Sequence, residues 1–180
     1  LRAAQEAVRT NAPLLGINLG HMGFLTETEP DCLETAVKAL MEERYTLENR
    51  MLLRIDRPHT GESYLALNDV VVNRGGYARL ITLDAFAGEE IVGHYVADGL
   101  IVATPTGSTG YSLSAGGPVI HPAVDCVVIT PICAHSLQHR PVVVPGNEKI
   151  RLALQGDEES GVVVQVDGQT RCMLRPGEDV

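Results

Sequence analysis

Residues 98–122 read DGLIVATPTGSTGYSLSAGGPVIHP, an apolar run followed by a stretch rich in hydroxyls and glycine. The apolar run at residues 100–103 predicts a buried strand, and residues 111–115 could form a short helix that Gly116-Gly117-Pro118 would end. Between them, residues 104–109 hold four Ser or Thr side chains. A tight turn between core elements is one explanation of such a loop. The density of hydroxyls beside a helix start favours a binding site for an anion, a ribose or a base edge.

The composition indicates a globular protein of one or two domains. The chain has 180 residues, of which 44% are hydrophobic, and its mean hydropathy is +0.05. The formal net charge of −9 argues against nucleic acid as a partner, because nucleic-acid binding depends on clustered Lys and Arg. No apolar run reaches the length of a membrane-spanning helix, and no signal peptide opens the chain, so the sequence predicts no membrane association.

The positions of the cysteines and lysines argue against two kinds of site, a metal site built on cysteines and a Walker-type phosphate loop. The four cysteines lack the spacing of metal ligands, and free thiols are typical of a reducing compartment. This pattern predicts a cytoplasmic protein without a metal site of its own. Neither Lys38 nor Lys149 follows a glycine-rich loop, so a Walker-type phosphate loop is absent.

Two patterns of hydrophobic spacing divide the chain. Residues 1–10 and a segment that begins at Pro30 have apolar residues at helical spacing, and the apolar run at 14–17 predicts a buried strand between them. This order is typical of the end of a Rossmann-like, doubly wound α/β domain. After Tyr45 the pattern changes to short strands with few helices, which indicates a β-sandwich-like domain. We therefore predict α/β plus all-β domains, at residues 1–46 and 47–180.

The strands of the second domain are expected at short intervals, separated by hairpin-like turns such as Gly88-Glu89 and Asp167-Gly168. After an alternating segment near residues 51–56, they are predicted at residues 62–73, 79–87, 90–96, 99–104, 125–130, 141–145, 149–154, 161–166 and 170–174.

The stretch at residues 98–122 resembles the signature of the NAD kinases, DG-(apolar)-STPTGSTAYSLSAGGP. Further pieces resemble the same family in the same order: LLGINLGHMGFLTE at residues 14–27, LNDVVVNRG at 67–75, AHSLQHRPVVVP at 134–145 and VDGQ at 166–169. The resemblance covers almost the whole chain. It departs at Gly110, where the family usually has Ala, and we expect modest loosening of the turn there rather than loss of function.

This resemblance implies an enzyme that phosphorylates the 2′-hydroxyl of the adenosine ribose of NAD, with ATP or polyphosphate as donor, to give NADP. Mg²⁺ or another divalent cation would act together with ATP. The family's catalytic base is the Asp of a Gly-Gly-Asp-Gly loop, which we expect upstream of Leu1. No catalytic residue and no metal ligand are therefore assigned within the chain. The resemblance also implies a cytoplasmic homodimer or homotetramer.

Asn68 and Asp69 stand directly before the apolar run at residues 70–72. An amide and a carboxylate there could hold a base edge and a pair of ribose hydroxyls, but from the residues alone an Asx turn or a strand-end cap is the better explanation. The resemblance assigns both residues to NAD, and it places Asp98 in a site shared between neighbouring subunits. The positions that the resemblance assigns to NAD binding are Arg2, Asn68, Asp69, Arg79, Asp98, Thr109, Gly110, Tyr111, Ser112, Ser114 and Gln169.

Two other functions compete with this assignment. The chain could belong to a non-catalytic NAD(P)-binding regulatory module derived from the family, and the sequence upstream of Leu1 would discriminate, because only an enzyme needs an intact Gly-Gly-Asp-Gly loop. A lipid or sphingoid-base kinase ranks last, because the polar stretch at residues 104–114 offers no apolar groove for acyl chains.

Overall fold

Short strands account for most of the regular backbone in the computed structural model, which describes residues 1–20, 26–75, 80–136, 138–156 and 162–180 and, for Arg2, the backbone only. Runs such as VVV at 70–72 and LIVA at 100–103 form strands because β-branched and aliphatic side chains pack well on a buried, pleated surface. No helix among the described residues is long and apolar enough to cross a membrane.

The helices are α1 (Arg2–Thr10), α2 (Leu33–Met41) and α3 (Tyr111–Ser114), and 3-10 turns cover Pro30–Cys32 and Gly107–Thr109. The strands are β1 (Leu53–Arg57), β2 (Glu62–Ala66), β3 (Asp69–Asn73), β4 (Ile81–Ala87), β5 (Glu90–Ala97), β6 (Gly99–Ala103), β7 (Cys126–Ile132), β8 (Val142–Pro145), β9 (Ile150–Gln155), β10 (Val162–Val166) and β11 (Gln169–Leu174). The chain forms two compact units: a helical unit of residues 2–49, and a β-rich unit of Leu1 with residues 50–180.

The described residues of the β-rich unit form three antiparallel sheets. Their strand orders are β11-β10-β3-β6-β7-β8, β5-β4-β9 and β1-β2. Burial alternates along β4 and along β10, as expected for strands with one face on a core. One hydrophobic cluster contains residues from all three sheets, among them Ile55, Leu83, Leu100, Leu152 and Val164. The sheets therefore enclose a shared core, as in a β-sandwich.

The central strands β3, β6 and β7 are buried on both faces. Val72 and Leu100 belong to the shared core, whereas Val71 and Ile101 belong to a second cluster. The segment that follows α3 packs against this second cluster through Ala115 and Ile120. Burial on both faces explains why these strands are continuous apolar runs in the sequence. The contacts of Ala115 and Ile120 hold the segment after α3 against the six-stranded sheet.

The predicted fold class is confirmed by this mostly-sheet unit with few helices. The predicted strand at 62–73 is wrong in one respect, because it is interrupted at Leu67 and Asn68. β2 pairs with β1, whereas β3 enters the six-stranded sheet between β10 and β6. The interruption has a tertiary cause: the Leu67 and Asn68 N–H groups donate to the carboxylate of Asp167, which is distant in the sequence, instead of to a neighbouring strand.

The helical unit has α1 and α2 where helical spacing predicted them. Residues 14–17 do not form the predicted buried strand: Leu14 is 58% exposed, and Ile17 makes one isolated parallel bridge to Thr28. A parallel strand needs a neighbour that offers a row of backbone partners. Among the described residues of this unit, only that single bridge provides one.

Candidate functional site

One end of the six-stranded sheet gathers polar residues that the sequence singled out. Asp69 opens β3 opposite Ala103, the last residue of β6. Val166 ends β10 and pairs with both Val70 and Gln169. Because these strands are antiparallel neighbours, the segment before β3, the loop after β6 and the β10–β11 turn meet at the same end of the sheet. We call residues 67–69, 104–110 and 166–169 the polar end.

Gly107 brings the loop after β6 directly against Asn68. A Cβ atom at Gly107 would overlap the Asn68 carbonyl group, so only glycine allows this approach. Thr104 donates its N–H to Asn68 O over 2.9 Å, and its hydroxyl donates to Leu67 O over 2.6 Å. The same hydroxyl accepts the Gly107 N–H over 3.0 Å. The loop and the entry to β3 are therefore one hydrogen-bonded structure.

Gly110 faces the side chains of Asn68 and Asp69. A Cβ atom at Gly110 would lie 3.8 Å from Asn68 Nδ2 and 3.9 Å from Asp69 Oδ2, which are ordinary van der Waals distances. Its tightest contact would be 3.3 Å, to Gly107 O. The φ angle of −92° lies outside the left-handed region that favours glycine. The alanine of the family signature would therefore fit here after a small adjustment of the loop.

Asp69 is a buried acid, only 6% exposed. Burial, and in second place the negative charge of Asp167, raise the pKa of Asp69 from 3.8 to about 6. No hydrogen-bond donor among the described residues offsets these two effects. An acid held in an environment that disfavours its charge is more typical of a functional site than of a structural turn.

Asn68 has a buried side-chain oxygen, Oδ1, that has no hydrogen-bond partner among the described residues. Buried polar atoms are almost always paired, because an unpaired one retains the cost of its desolvation. The orphan oxygen therefore indicates that a donor from outside the described part of the chain completes the site.

Hydroxyls of the loop and of α3 that were expected to face a ligand are partly used inside the fold. Ser108 Oγ donates to Pro105 O over 2.6 Å and accepts the Ile120 N–H over 3.0 Å. Ser112 Oγ lies 2.8 Å from Thr130 Oγ1, and both residues are 0% exposed. The Ser112 hydroxyl thus has a partner within the protein, and its assignment to NAD stays a prediction.

Four other predicted contacts lie in the polar end or directly beside it, and their side chains are exposed to different degrees. Thr109 is half-buried, and its hydroxyl donates to Thr106 O over 3.3 Å. Tyr111 is 45% exposed at the start of α3, and Ser114 is exposed at the end of that helix. Gln169 is half-buried where β11 begins.

Asp98 lies at the opposite end of the same sheet. It precedes Gly99, which pairs with Asn73 at the far end of β3 from Asp69. Four residue steps along a strand correspond to about 14 Å. The Asp98 carboxylate accepts a hydrogen bond from Arg74, with Nε 2.9 Å from Oδ1. Within one chain, Asp98 is therefore not brought to the polar end.

Two predicted contacts cannot be assigned a position at this site. Arg2 is the first residue of α1 in the helical unit, and its side chain lies outside the described residues. Arg79 lies outside the described residues altogether.

Sequence reasoning missed two residues of the polar end, Thr104 and Asp167. Thr104 was one hydroxyl among several in the loop, and Asp167 was assigned only to a hairpin turn. The sequence did contain a signal for Asp167: the Asp-Gly turn stands directly before Gln169, which is a predicted contact. A turn that delivers a contact residue also brings its own side chains to the site.

The described residues contain no group of three or more His, Cys, Asp or Glu side chains that could hold a metal ion. Any metal requirement of the site would therefore have to be met without a preformed cluster in this part of the chain.

Comparison with known proteins confirms the family that the motifs resemble. The sequence model of the ATP-NAD kinase C-terminal domain matches residues 67–180, and that of the ATP-NAD kinase N-terminal domain matches residues 1–45. The NAD kinase of Moorella thermoacetica is 45% identical over 180 residues, which are 99% of this chain and 58% of the relative. The NAD kinase of Pseudomonas fluorescens strain SBW25 is 43% identical over 183 residues, which cover 100% of this chain and 62% of the relative.

Solved structures of the same family share the fold. A yeast NADH kinase complexed with NADH has a TM-score of 0.84 and 34% identity, and the match covers 93% of this chain and 49% of that one. An NAD kinase from Archaeoglobus fulgidus in complex with ATP has a TM-score of 0.74 and 32% identity, and the match covers 93% of this chain and 63% of that one.

The chain thus spans less than two thirds of the length of these curated relatives. The C-terminal domain match includes the whole polar end, and the two domain matches follow one another in family order. Together with the identities over nearly the full chain, these matches show that the chain belongs to the ATP-NAD kinase family.

Proposed function

We propose that the protein containing this chain is an NAD kinase, which phosphorylates the 2′-hydroxyl of the adenosine ribose of NAD to give NADP. The observation that carries the proposal is the pair at the polar end: a buried acid at Asp69 beside an unpartnered buried oxygen at Asn68, in a chain of the ATP-NAD kinase family. Such a pair offers acceptors to a ligand that brings its own donors.

Each half of the pair suits a different part of NAD. The ionised carboxylate of Asp69 would accept hydrogen bonds from two ribose hydroxyls, and Asn68 Oδ1 would accept one from an amino group on a base edge. Gly110 lies beside both side chains and has no side chain of its own to cover them. Tyr111, exposed beside it, offers a ring on which a base can stack.

The solved relatives support the choice of ligands. The yeast relative is complexed with NADH, and the archaeal relative is in complex with ATP. We extend both ligand types to this protein, with NAD at the polar end and ATP, or polyphosphate, as the phosphoryl donor.

Mg²⁺ or another divalent cation would serve with ATP, as in other phosphoryl transfers. The described residues do not fit a resident metal, because they contain no cluster of His, Cys, Asp or Glu that could hold one. Mg²⁺ is commonly bound largely through substrate phosphates and water. The divalent cation would thus arrive with ATP and not as a resident ion of the described residues.

The catalytic base is proposed to be the Asp of a Gly-Gly-Asp-Gly loop outside these residues. It would remove the proton of the 2′-hydroxyl as that oxygen attacks the γ-phosphorus of ATP, while the bond from this phosphorus to the β–γ bridging oxygen breaks and ADP leaves. What this chain contributes is binding and orientation, which for phosphoryl transfer is a large share of catalysis. We also propose a cytoplasmic location and a homodimer or homotetramer.

The experiment is an assay of the full-length protein with Mg²⁺, testing NAD and NADH against ATP and polyphosphate, with NADP or NADPH formation measured by a coupled dehydrogenase. Saturable product formation is expected. Replacement of the loop Asp by Asn should lower kcat by about 10²–10⁴-fold, as expected for loss of a general base. No product from any pairing of substrates would overturn the enzyme assignment. NAD binding without turnover would instead favour the regulatory module.

A further inference from the structure

Asp167 and Thr104 together bind all the backbone N–H and C=O groups of residues 67–69, the segment that carries the proposed NAD contacts Asn68 and Asp69. The N–H groups of Leu67, Asn68 and Asp69 all donate to the Asp167 carboxylate, over 3.0, 2.8 and 3.3 Å. On the opposite side, Leu67 O accepts from the Thr104 hydroxyl over 2.6 Å, and Asn68 O accepts from the Thr104 N–H over 2.9 Å. Asp69 O accepts the Asp167 N–H over 3.0 Å.

The Asp167 side chain reaches this position through the shape of its turn. Val166 pairs with Gln169, so Asp167 and Gly168 are the two residues of a tight hairpin loop. Their φ angles are 48° and 73°, the left-handed values of a type I′ turn, for which Asp-Gly is a preferred sequence. The turn directs the carboxylate at a segment about 100 residues earlier in the chain.

We propose that Asp167 is a positioning residue for the nucleotide: its carboxylate, opposed by Thr104, sets the backbone of residues 67–69 so that Asn68 and Asp69 present their side chains to NAD. This inference rests on the proposed function for the identity of the ligand. Leu67 and Asn68 link β2 to β3, two strands of different sheets, and Asp69 is the first residue of β3. These bonds therefore fix the course of the chain where it passes from one sheet to the other.

The same carboxylate acts on Asp69 electrostatically. Asp167 faces Asp69 from the β10–β11 turn and, after burial, is the second cause of the raised pKa of Asp69. On the other side, residues 103–110 have no charged side chain. Among the described residues, Arg50 contacts this loop, with Nη1 3.5 Å from Thr106 Oγ1. Because NAD would bind the ionised form of Asp69, removal of the Asp167 charge should allow NAD to bind at lower pH.

The first test is Asp167→Asn in the full-length protein, since Asn also tolerates the left-handed conformation of this turn. A carboxamide has one acceptor oxygen, so it cannot receive the three N–H groups. NAD affinity measured by calorimetry at pH 8 should fall about ten- to hundredfold. NAD affinity falls towards acid pH as Asp69 takes up a proton, and we call this part of the pH profile the acid limb. Measured between pH 5 and 8, the acid limb should move to lower pH.

The matched control is Asp84→Asn. Asp84 is likewise a partly buried, hydrogen-bonded acid, with Gln155 Nε2 2.9 Å away and His94 Nδ1 2.5 Å away, but it belongs to the three-stranded sheet. This control should retain NAD affinity and its acid limb. Asp167→Asn with affinity within twofold of the unmodified protein, or with weaker affinity and an unmoved acid limb, would overturn the positioning role.

The second test uses Thr104 and remains decisive if Asp167→Asn does not fold. Thr104→Val keeps the shape but removes the hydroxyl that binds Leu67 O and Gly107 N, whereas Thr104→Ser retains it. NAD affinity should fall about tenfold in the first variant and less than threefold in the second. Equal affinities in the two variants would overturn the inference. An unmodified protein that binds no NAD would overturn the proposed function itself, which separates the two failures.

Discussion

At the scale of single residues, the polar end contains an acid whose surroundings oppose its charge. Asp69 is 6% exposed and lies near Asp167, and these two causes, in this order, raise its pKa to about 6. A group placed so unfavourably for folding is characteristic of a site selected for binding or chemistry.

Asp69→Asn should therefore stabilise the fold and weaken the ligand. The folded-state pKa lies above the ordinary value of 3.8, so the folded protein binds the proton more tightly, and the stability linked to this group is present below pH 3.8 and lost as the pH rises through about 6. At pH 8 the ionised carboxylate costs on the order of 3 kcal/mol, which Asn would remove. Urea unfolding at pH 4, 6 and 8 should show a gain that disappears towards pH 4.

Calorimetry of the same variant should show NAD affinity about ten- to hundredfold lower, because a neutral amide replaces the charged acceptor. A stability gain that is independent of pH, or unchanged NAD affinity, would contradict this account of Asp69.

Two glycines of the loop after β6 should respond differently to the same substitution. Gly110→Ala places a methyl group 3.3 Å from Gly107 O and in ordinary contact with Asn68 and Asp69, so NAD affinity should change less than threefold. Gly107→Ala is the matched contrast, because its methyl group would overlap the Asn68 backbone. The overlap should lower the unfolding free energy by about 1–3 kcal/mol and weaken NAD binding. Equal behaviour of the two variants in melting and binding assays would contradict the close approach of Gly107 to the Asn68 carbonyl group.

At the scale of elements, a buried hydroxyl pair joins α3 to the six-stranded sheet. Ser112 of α3 and Thr130 of β7 are both fully buried and 2.8 Å apart. A Cβ atom at Gly117 would overlap Ser112 Oγ, so glycine is required where the chain passes this pair. The pair fixes the short helix that follows Gly110.

Ser112→Ala should lower stability chiefly by leaving the Thr130 hydroxyl buried without its partner, at a cost of about 1–3 kcal/mol. The double variant Ser112→Ala with Thr130→Val removes both hydroxyls and should recover part of that loss. Unfolding free energies of the two single variants and the double variant measure this coupling. Strictly additive losses would show that the two hydroxyls do not interact, and a loss of NAD affinity without a loss of stability would favour direct contact of Ser112 with NAD.

At the scale of the whole molecule, the proposed NAD contacts lie at opposite ends of one sheet. Asp69 and Asp98 are separated by the length of β3, about 14 Å. If both contact the same NAD molecule, we expect Asp98 to come from a neighbouring copy of the chain, as the proposed shared site requires. This requirement gives the proposed homo-oligomer a functional reason, and closed symmetry then favours a dimer or tetramer.

Subunit mixing tests that arrangement. Full-length Asp69→Ala and Asp98→Ala proteins should each have low activity, and their co-expression should restore roughly a quarter of normal activity in a dimer, because hybrid molecules contain one intact site. Co-expression of Asp69→Ala with Asp167→Asn is the control and should restore nothing, since both changes affect the same end of the same chain. NADP formation is the measurement, and an active monomer in sedimentation would contradict the shared site.

Local sequence pattern was sufficient for much of this protein. Runs of apolar residues and turn signals predicted most of the strands in the β-rich unit, and the motif at residues 98–122 identified the family, because such signals depend on residues close together in the chain. Folding supplied what depends on distant residues: the bonds from Asp167 to residues 67–69, the burial of Ser112 against Thr130, and the separation of Asp98 from Asp69. Hydrogen bonds between segments about 100 residues apart leave no periodic trace in the sequence, since their partners meet only when the strands pair in register.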